Sequence, residues 1–263
     1  MKKSVIIFST LILLGLVNLV PVFAESTNTL VSVTADYWMP SLDAEVKSSD
    51  LSIIGTTINL VDDLGMDDPD SFPAFKASVD LPLFPELVIS YFSFDGSSSK
   101  NITQTFTYKG KSYSASNNVA SSYDITQYEA YLRWNLLNMD AGKLGFLIGS
   151  KYFEVKTELK DNTAGFMESE SVSGPVPIVG FGGDIKLPAK FRIEGIVRGL
   201  VLEINDIDAK MFDVETALNY DFNRFIRATA GYRYFLIDAE ETSNNDSVNI
   251  KFAGPYFGVT ASF

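Results

Sequence analysis

No histidine and no cysteine occur anywhere in the 263 residues, and that absence bounds the chemistry open to the chain. The commonest general base, the imidazole metal ligand and the thiolate nucleophile are all missing. Carboxylates, lysines, arginines and hydroxyls remain. The densest carboxylate group is the stretch VDDLGMDDPD, with Asp62, Asp63, Asp67, Asp68 and Asp70. Paired carboxylates can serve as acid and base, and an all-oxygen cluster suits a hard cation such as Ca²⁺. The stretch lacks the spacing of an EF-hand loop and its bidentate terminal glutamate, and adjacent acids in a polar connection are ordinarily solvated. It is read as an acidic loop with cation binding as the alternative. No catalytic residue, metal or cofactor is assigned.

A second set of charges recurs at alternating positions along most of the chain: Asp36, Lys76, Asp80, Glu129, Arg133, Lys151, Asp184, Lys186, Arg192, Glu194, Arg198, Asp213, Glu215, Arg227 and Arg233. Residues two apart share one face of a strand, so this pattern predicts an ionic face backed by an apolar one. Two turns would set its register. A two-residue turn at Asn205-Asp206 places Arg198 opposite Asp213, and a three-residue loop from Asn223 to Phe225 places Asp221 opposite Arg227 and Glu215 opposite Arg233.

The elements that carry these charges read as ten alternating strands. They are expected at Leu30 to Met39, Phe72 to Leu81, from Leu87 through Phe94, Thr126 to Leu136, Leu144 to about Glu158, Val176 to Leu187, Phe191 to Ile204, Met211 to Phe222, Ile226 to about Asp238, and Val248 to Phe263. Short connections include the proline-bearing Pro82 to Glu86, Asn138 to Lys143 and Pro188-Ala189. Long ones are expected near 40–71, 97–122 and 159–170, the second holding a hairpin about Lys109-Gly110. Ser49 to Leu60 is unusually apolar for an exposed loop, so it is expected either to extend the wall or to fold inward.

In the last strand Ala253, Pro255, Phe257, Val259 and Ala261 fall on one face, and Gly258, Thr260 and Ser262 on the other. The final eight residues, Tyr256 to Phe263, resemble the C-terminal signal of bacterial outer-membrane β-barrels, with Tyr256, Gly258, Ala261 and the terminal Phe263 as its marks. At the other end, Lys2 and Lys3, an apolar run from Val5 to Val17 and Val22-Phe23-Ala24 have the layout of a secretory signal peptide cleaved after Ala24. Its apolar core is shorter than the ~20 residues that a spanning helix needs. Loss of Lys2 and Lys3 would move the formal charge from -12 to -14, which argues against nucleic acid as a partner.

The resemblance implies an all-β fold: a closed antiparallel transmembrane barrel of ten strands, with eight or twelve as alternatives, in the outer membrane of a Gram-negative bacterium. An even strand number with short turns at the end shared by the termini matches that architecture. Trp134, Tyr220, Phe222 and Phe263 near one rim and Tyr37, Tyr152 and Tyr234 near the other would form aromatic girdles, so the apolar face is expected to meet lipid and the ionic face a lumen. The implied partners are outer-membrane lipid and the barrel-assembly machinery. Enzymes of this architecture, such as omptin-type proteases and outer-membrane phospholipases, rely on a histidine, so no enzyme is expected. Two roles remain: a narrow charge-lined channel for small solutes, eased by Gly145, Gly149, Gly180 and Gly182, or a structural or recognition barrel with a plugged lumen and partner-binding loops.

Overall fold

A computed structural model describes residues 30–49, 55–80, 84–204, 206–243 and 245–263. The expected signal peptide, residues 50–54 of the apolar stretch, Leu81 at the end of the expected second strand, Pro82 and Leu83 of the turn after it, and Asn205 of another turn fall outside these residues. The described residues form fourteen strands: β1 (Val31–Trp38), β2 (Ser41–Lys47), β3 (Ile58–Asn59), β4 (Phe72–Val79), β5 (Glu86–Asn101), β6 (Phe106–Tyr108), β7 (Lys111–Tyr113), β8 (Asn118–Met139), β9 (Gly142–Asp161), β10 (Phe166–Lys186), β11 (Phe191–Ile204), β12 (Ile207–Asp221), β13 (Ile226–Glu241) and β14 (Asp246–Ser262).

Ten of them, β1, β4, β5 and β8 to β14, form a closed antiparallel barrel in which each strand pairs with its sequence neighbour in the wall and β14 returns to β1. Closure runs from Ser32↔Ser262 to Trp38↔Tyr256, and the Phe263 carbonyl accepts the Leu30 amide at 2.8 Å. Both described ends of the chain therefore lie at one end of the barrel, called here the terminal end.

Both assumed turns set the registers expected of them. Ile204 pairs with Ile207, which brings Arg198 opposite Asp213. Asp221 pairs with Arg227 and Glu215 with Arg233. Asn223 holds that second loop by accepting the Phe225 and Ile226 amides at 2.8 and 2.9 Å through its Oδ1, as a short side chain in a turn does.

The expected long loops are shorter than their polarity implies. β5 continues to Asn101 and β8 starts at Asn118, while β9 and β10 leave only 162–165 between them. The alternation persists there in serine, threonine and charged residues, so the ladder goes on beyond the apolar belt. The 40–71 connection likewise begins with β2, which carries the line of β1 upward against β14. Lys109 (φ 46°) and Gly110 (φ 70°) turn the β6–β7 hairpin, as the two-residue loop between twisted strands requires.

Side chains sort cleanly between the faces. Tyr37, Phe75, Ile89, Leu132, Ile148, Phe181, Val197, Phe212, Tyr232 and Phe257, one from each wall strand, project outward and are exposed. Within this belt Glu129, Lys151, Arg198, Asp213 and Arg233 are buried on the opposite face, where a soluble protein would reverse the arrangement; beyond it Glu154, Lys156, Glu158 and Lys160 of β9 are exposed.

Candidate functional site

From the terminal end inward, the lumen has three layers. The first is a polar vestibule of about 200 Å³. Around it Arg133 meets Glu86 at 2.5 Å, Arg192 meets Asp184 at 3.0 Å and Asp221 at 3.3 Å, Arg227 meets Asp221 at 2.7 Å, and Lys143 approaches Asp80 at 3.7 Å. Hydroxyl pairs line the β1 side, Ser32 with Ser78 at 2.7 Å and Thr34 with Thr260 at 2.8 Å. Asp36, Lys76 and Glu194 also line it. The Glu194 carboxylate accepts the Asn219 amide at 3.1 Å. Gly258 is needed here for close approach, because a Cβ would fall 1.8 Å from Asp36 Oδ1.

The second layer is a plug of three carboxylates and three cations drawn from five strands. Asp213 accepts from Lys151 (2.8 Å), Arg198 (2.9 Å) and Arg233 (2.7 Å). Glu129 takes Lys151 and Arg198 at 3.0 Å each, together with the Ser90 hydroxyl at 2.8 Å. Glu215 takes Arg198, and Arg233 stands 3.6 Å away. Lys151 and Asp213 are both fully buried. Isolated ions at such depth would cost several kcal/mol each, a penalty that only this mutual pairing offsets. Arg233 also crosses the bore, lying 4.8 Å from the Trp38 ring and 5.2 Å from the Phe92 ring. A guanidinium from β13 thus touches carboxylates on β12 and aromatics on β1 and β5.

The third layer, toward the far end, is apolar. Trp38, Phe72, Phe92, Phe94 and Phe252 pack with ring centroids 4.5 to 6.5 Å apart, and Leu42, Met66, Tyr123, Phe153 and Phe235 complete it. Above it the β6–β7 hairpin folds over the mouth. Phe106, Tyr108 and Tyr113 join Ile58, Leu64, Ile102, Val119 and Leu159 in a separate small core. Lys109 pairs with Glu170 at 2.9 Å. Burial, followed by the nearby Glu170, pushes the Tyr108 hydroxyl up to about 12, so it stays protonated beside that carboxylate. Asp161 anchors the rim by accepting the Thr163 and Ala164 amides at 2.9 and 2.8 Å and the Asn117 side chain at 2.7 Å.

Fourteen of the fifteen charges read from the sequence line the vestibule or the plug; Lys186 does not, its side chain being exposed at the end of β10. Glycines do not widen a path: a Cβ on Gly180 would fall 2.1 Å from the Val197 carbonyl, and one on Gly149 would lie 2.4 Å from the Tyr131 Cβ. Their space is taken by neighbouring strands and side chains. Parity alone did not expose the role of Glu86, placed in the expected turn; the aromatic layer inside was signalled by Trp38 on the face of Asp36, Phe72 on that of Lys76 and Phe92 on that of Ser90. Ile58 folds inward. In the acidic stretch Asp63 accepts the Asn59 amide and Asp68 the Leu42 amide, at 2.9 and 2.8 Å. Among the described residues no three carboxylates converge as a metal would need.

No family model and no curated protein matches the sequence. Among solved structures, the outer membrane protease OmpT from Escherichia coli aligns with a TM-score of 0.56 at 9% identity, over 91% of this chain and 99% of that one. The translocator domain of the autotransporter NalP from Neisseria meningitidis gives 0.41 at 10% identity, over 99% and 98%. Neisserial surface protein A gives 0.32 at 13%, over 89% and 97%. The likeness to OmpT is one of fold alone: the chain has the closed antiparallel barrel of an outer-membrane protein.

Proposed function

We propose that the protein is a non-enzymatic, closed-lumen barrel of the outer membrane, with the terminal end toward the periplasm and the far end forming a structured external surface. The apolar outer belt on all ten wall strands favours the membrane location, because closed barrels are the one β-architecture that satisfies every backbone group in lipid. β8, β9 and β10 have 22, 20 and 21 residues, about twice the 9 to 11 that a membrane strand needs. The surplus builds the external wall on which a partner would dock.

One observation carries the closed reading over a channel: Arg233 reaches across the bore from Asp213 to Trp38. The charges lining the bore also favour it, since an ion-selective pore keeps an excess of one sign whereas the plug is balanced. Planar-bilayer recording of the reconstituted protein tests this. No discrete steps are expected at either polarity, and single-channel steps would overturn the reading.

A further inference from the structure

We propose that the vestibule at the terminal end binds a small diamino monocarboxylic acid of the lysine and ornithine kind. Every other charge that lines this cavity has an ionic partner. Asp36, Lys76 and Glu194 line it too, and among the described residues they take part in no ion pair. The charges that act most strongly on Lys76 are those of Glu215, Glu194 and Asp36, yet none of them pairs with it. Asp36 Oδ1 and Arg192 Nε are shut away from solvent without a hydrogen-bond partner. Two phenols add to the set. Tyr131 and Tyr256 are only 5% and 7% exposed, both line the cavity, and neither hydroxyl makes a hydrogen bond among the described residues. Buried polar groups in a native protein are nearly all satisfied, so an unsatisfied group signals something that belongs beside it.

Charge decides the occupant. Two carboxylates and one ammonium lack counter-ions, so their complement carries two ammoniums and one carboxylate. The cavity of about 200 Å³ far exceeds the ~10–15 Å³ that a single water centre needs, but water brings no counter-charge, and neither does a sugar. Buried ions are offset only by opposite charges with good hydrogen bonds. An ammonium, with three donors, suits Asp36 or Glu194; a carboxylate, which only accepts, suits Lys76 and the two phenol hydroxyls. The plug closes the inner end, so the ligand enters and leaves through the terminal end. That this end faces the periplasm rests on the membrane placement given above; the site itself does not.

Lysine and ornithine are titrated by calorimetry into the folded protein in dodecyl maltoside. The comparison ligands are cadaverine, which lacks the carboxylate, aminocaproate, which lacks the α-ammonium, alanine, which lacks the second ammonium, and glucose. Saturable binding of lysine or ornithine is expected, about tenfold tighter than that of any comparison ligand. Lys76→Met should erase the preference over cadaverine, and Asp36→Asn the preference over aminocaproate and alanine. Neither side chain holds a neighbour in place, so both variants should keep the heat-dependent gel shift of the folded wild type. The proposal is overturned if neither diamino acid binds, if glucose or cadaverine binds as tightly, or if lysine keeps its preferences in both variants. Single-channel current steps would end the closed reading of the lumen and leave this binding result standing by itself.

Discussion

Asp213 carries more of the interior than any other single side chain, because three cations from three other strands converge on one carboxylate. Asp213→Ala leaves Lys151, Arg198 and Arg233 buried with one acceptor fewer, a loss expected to cost about 3 to 5 kcal/mol. Urea unfolding in micelles, followed by the gel-mobility shift between folded and heated forms, measures it; a cost below about 1 kcal/mol would mean that water already solvates the plug. Asp161, at the external rim, gives a pH signature instead. Burial by itself would raise its carboxyl, but the Ala164 amide, the Asn117 side chain and the Thr163 amide together hold it below the usual carboxylate range. A depressed folded value stabilises fully above the unfolded value near 3.8 and ceases to do so as pH falls through the lower folded value. The gap in urea midpoint between wild type and Asp161→Asn is therefore expected in full at pH 6 and should narrow as pH falls below the unfolded value near 3.8. A gap that persists at low pH would assign the effect to geometry. The cross-strand partners of the plug were legible because a turn of known length fixes every pair beyond it. The convergence of three cations on Asp213 was not, since it depends on side chains reaching diagonally across a curved interior.

At the scale of the element, periodicity located the wall strands and the Lys109-Gly110 hairpin, and misjudged where strands stop. Hydrophobicity marks only the part of a strand that faces an apolar medium, so the polar extensions of β5, β8 and β10 read as loops although their alternation continued. Nothing in the hairpin sequence says that it folds back over the barrel. That placement comes from Tyr113, fully buried between Phe106 at 5.0 Å and Phe166 at 4.9 Å. Tyr113→Ala removes the centre of the small external core and is expected to cost about 3 kcal/mol locally. The cap and the aromatic layer below it are separate cores, so the barrel itself should stay folded. Limited trypsin digestion checks this, with faster cleavage at Lys109 and Lys111 in the variant and an unchanged heat-dependent gel shift. Because the plug lies beneath the cap, the variant should still conduct nothing; current steps on loosening the hairpin would relocate the seal to the loops.

At the scale of the whole molecule, the property that makes the chain a barrel is closure, and closure depends on its last strand. β14 is shared by three partners: it pairs with β13 along its length, with β2 through its first half and with β1 through its second. The alternation of Tyr256 to Phe263 was legible because both faces are used there, Phe257 and Val259 outward and Tyr256 and Thr260 inward. Deleting Gly258–Phe263 removes the partners of Ser32 to Asp36 and leaves the terminal halves of β1 and β13 as facing edges without ladder bonds. Each unpaired backbone group in lipid costs several kcal/mol, so the truncated chain cannot reach a closed state. It is expected to show no heat-dependent shift and no trypsin-resistant core after refolding into phosphatidylcholine vesicles. Phe263→Ala removes only a half-exposed outward side chain and keeps the backbone bonds to Leu30 and Val31, so it should refold with both signatures intact. If the truncated chain also folds, closure does not require the terminal strand. If Phe263→Ala fails as completely as the truncation, the phenyl ring rather than the ladder holds the seam.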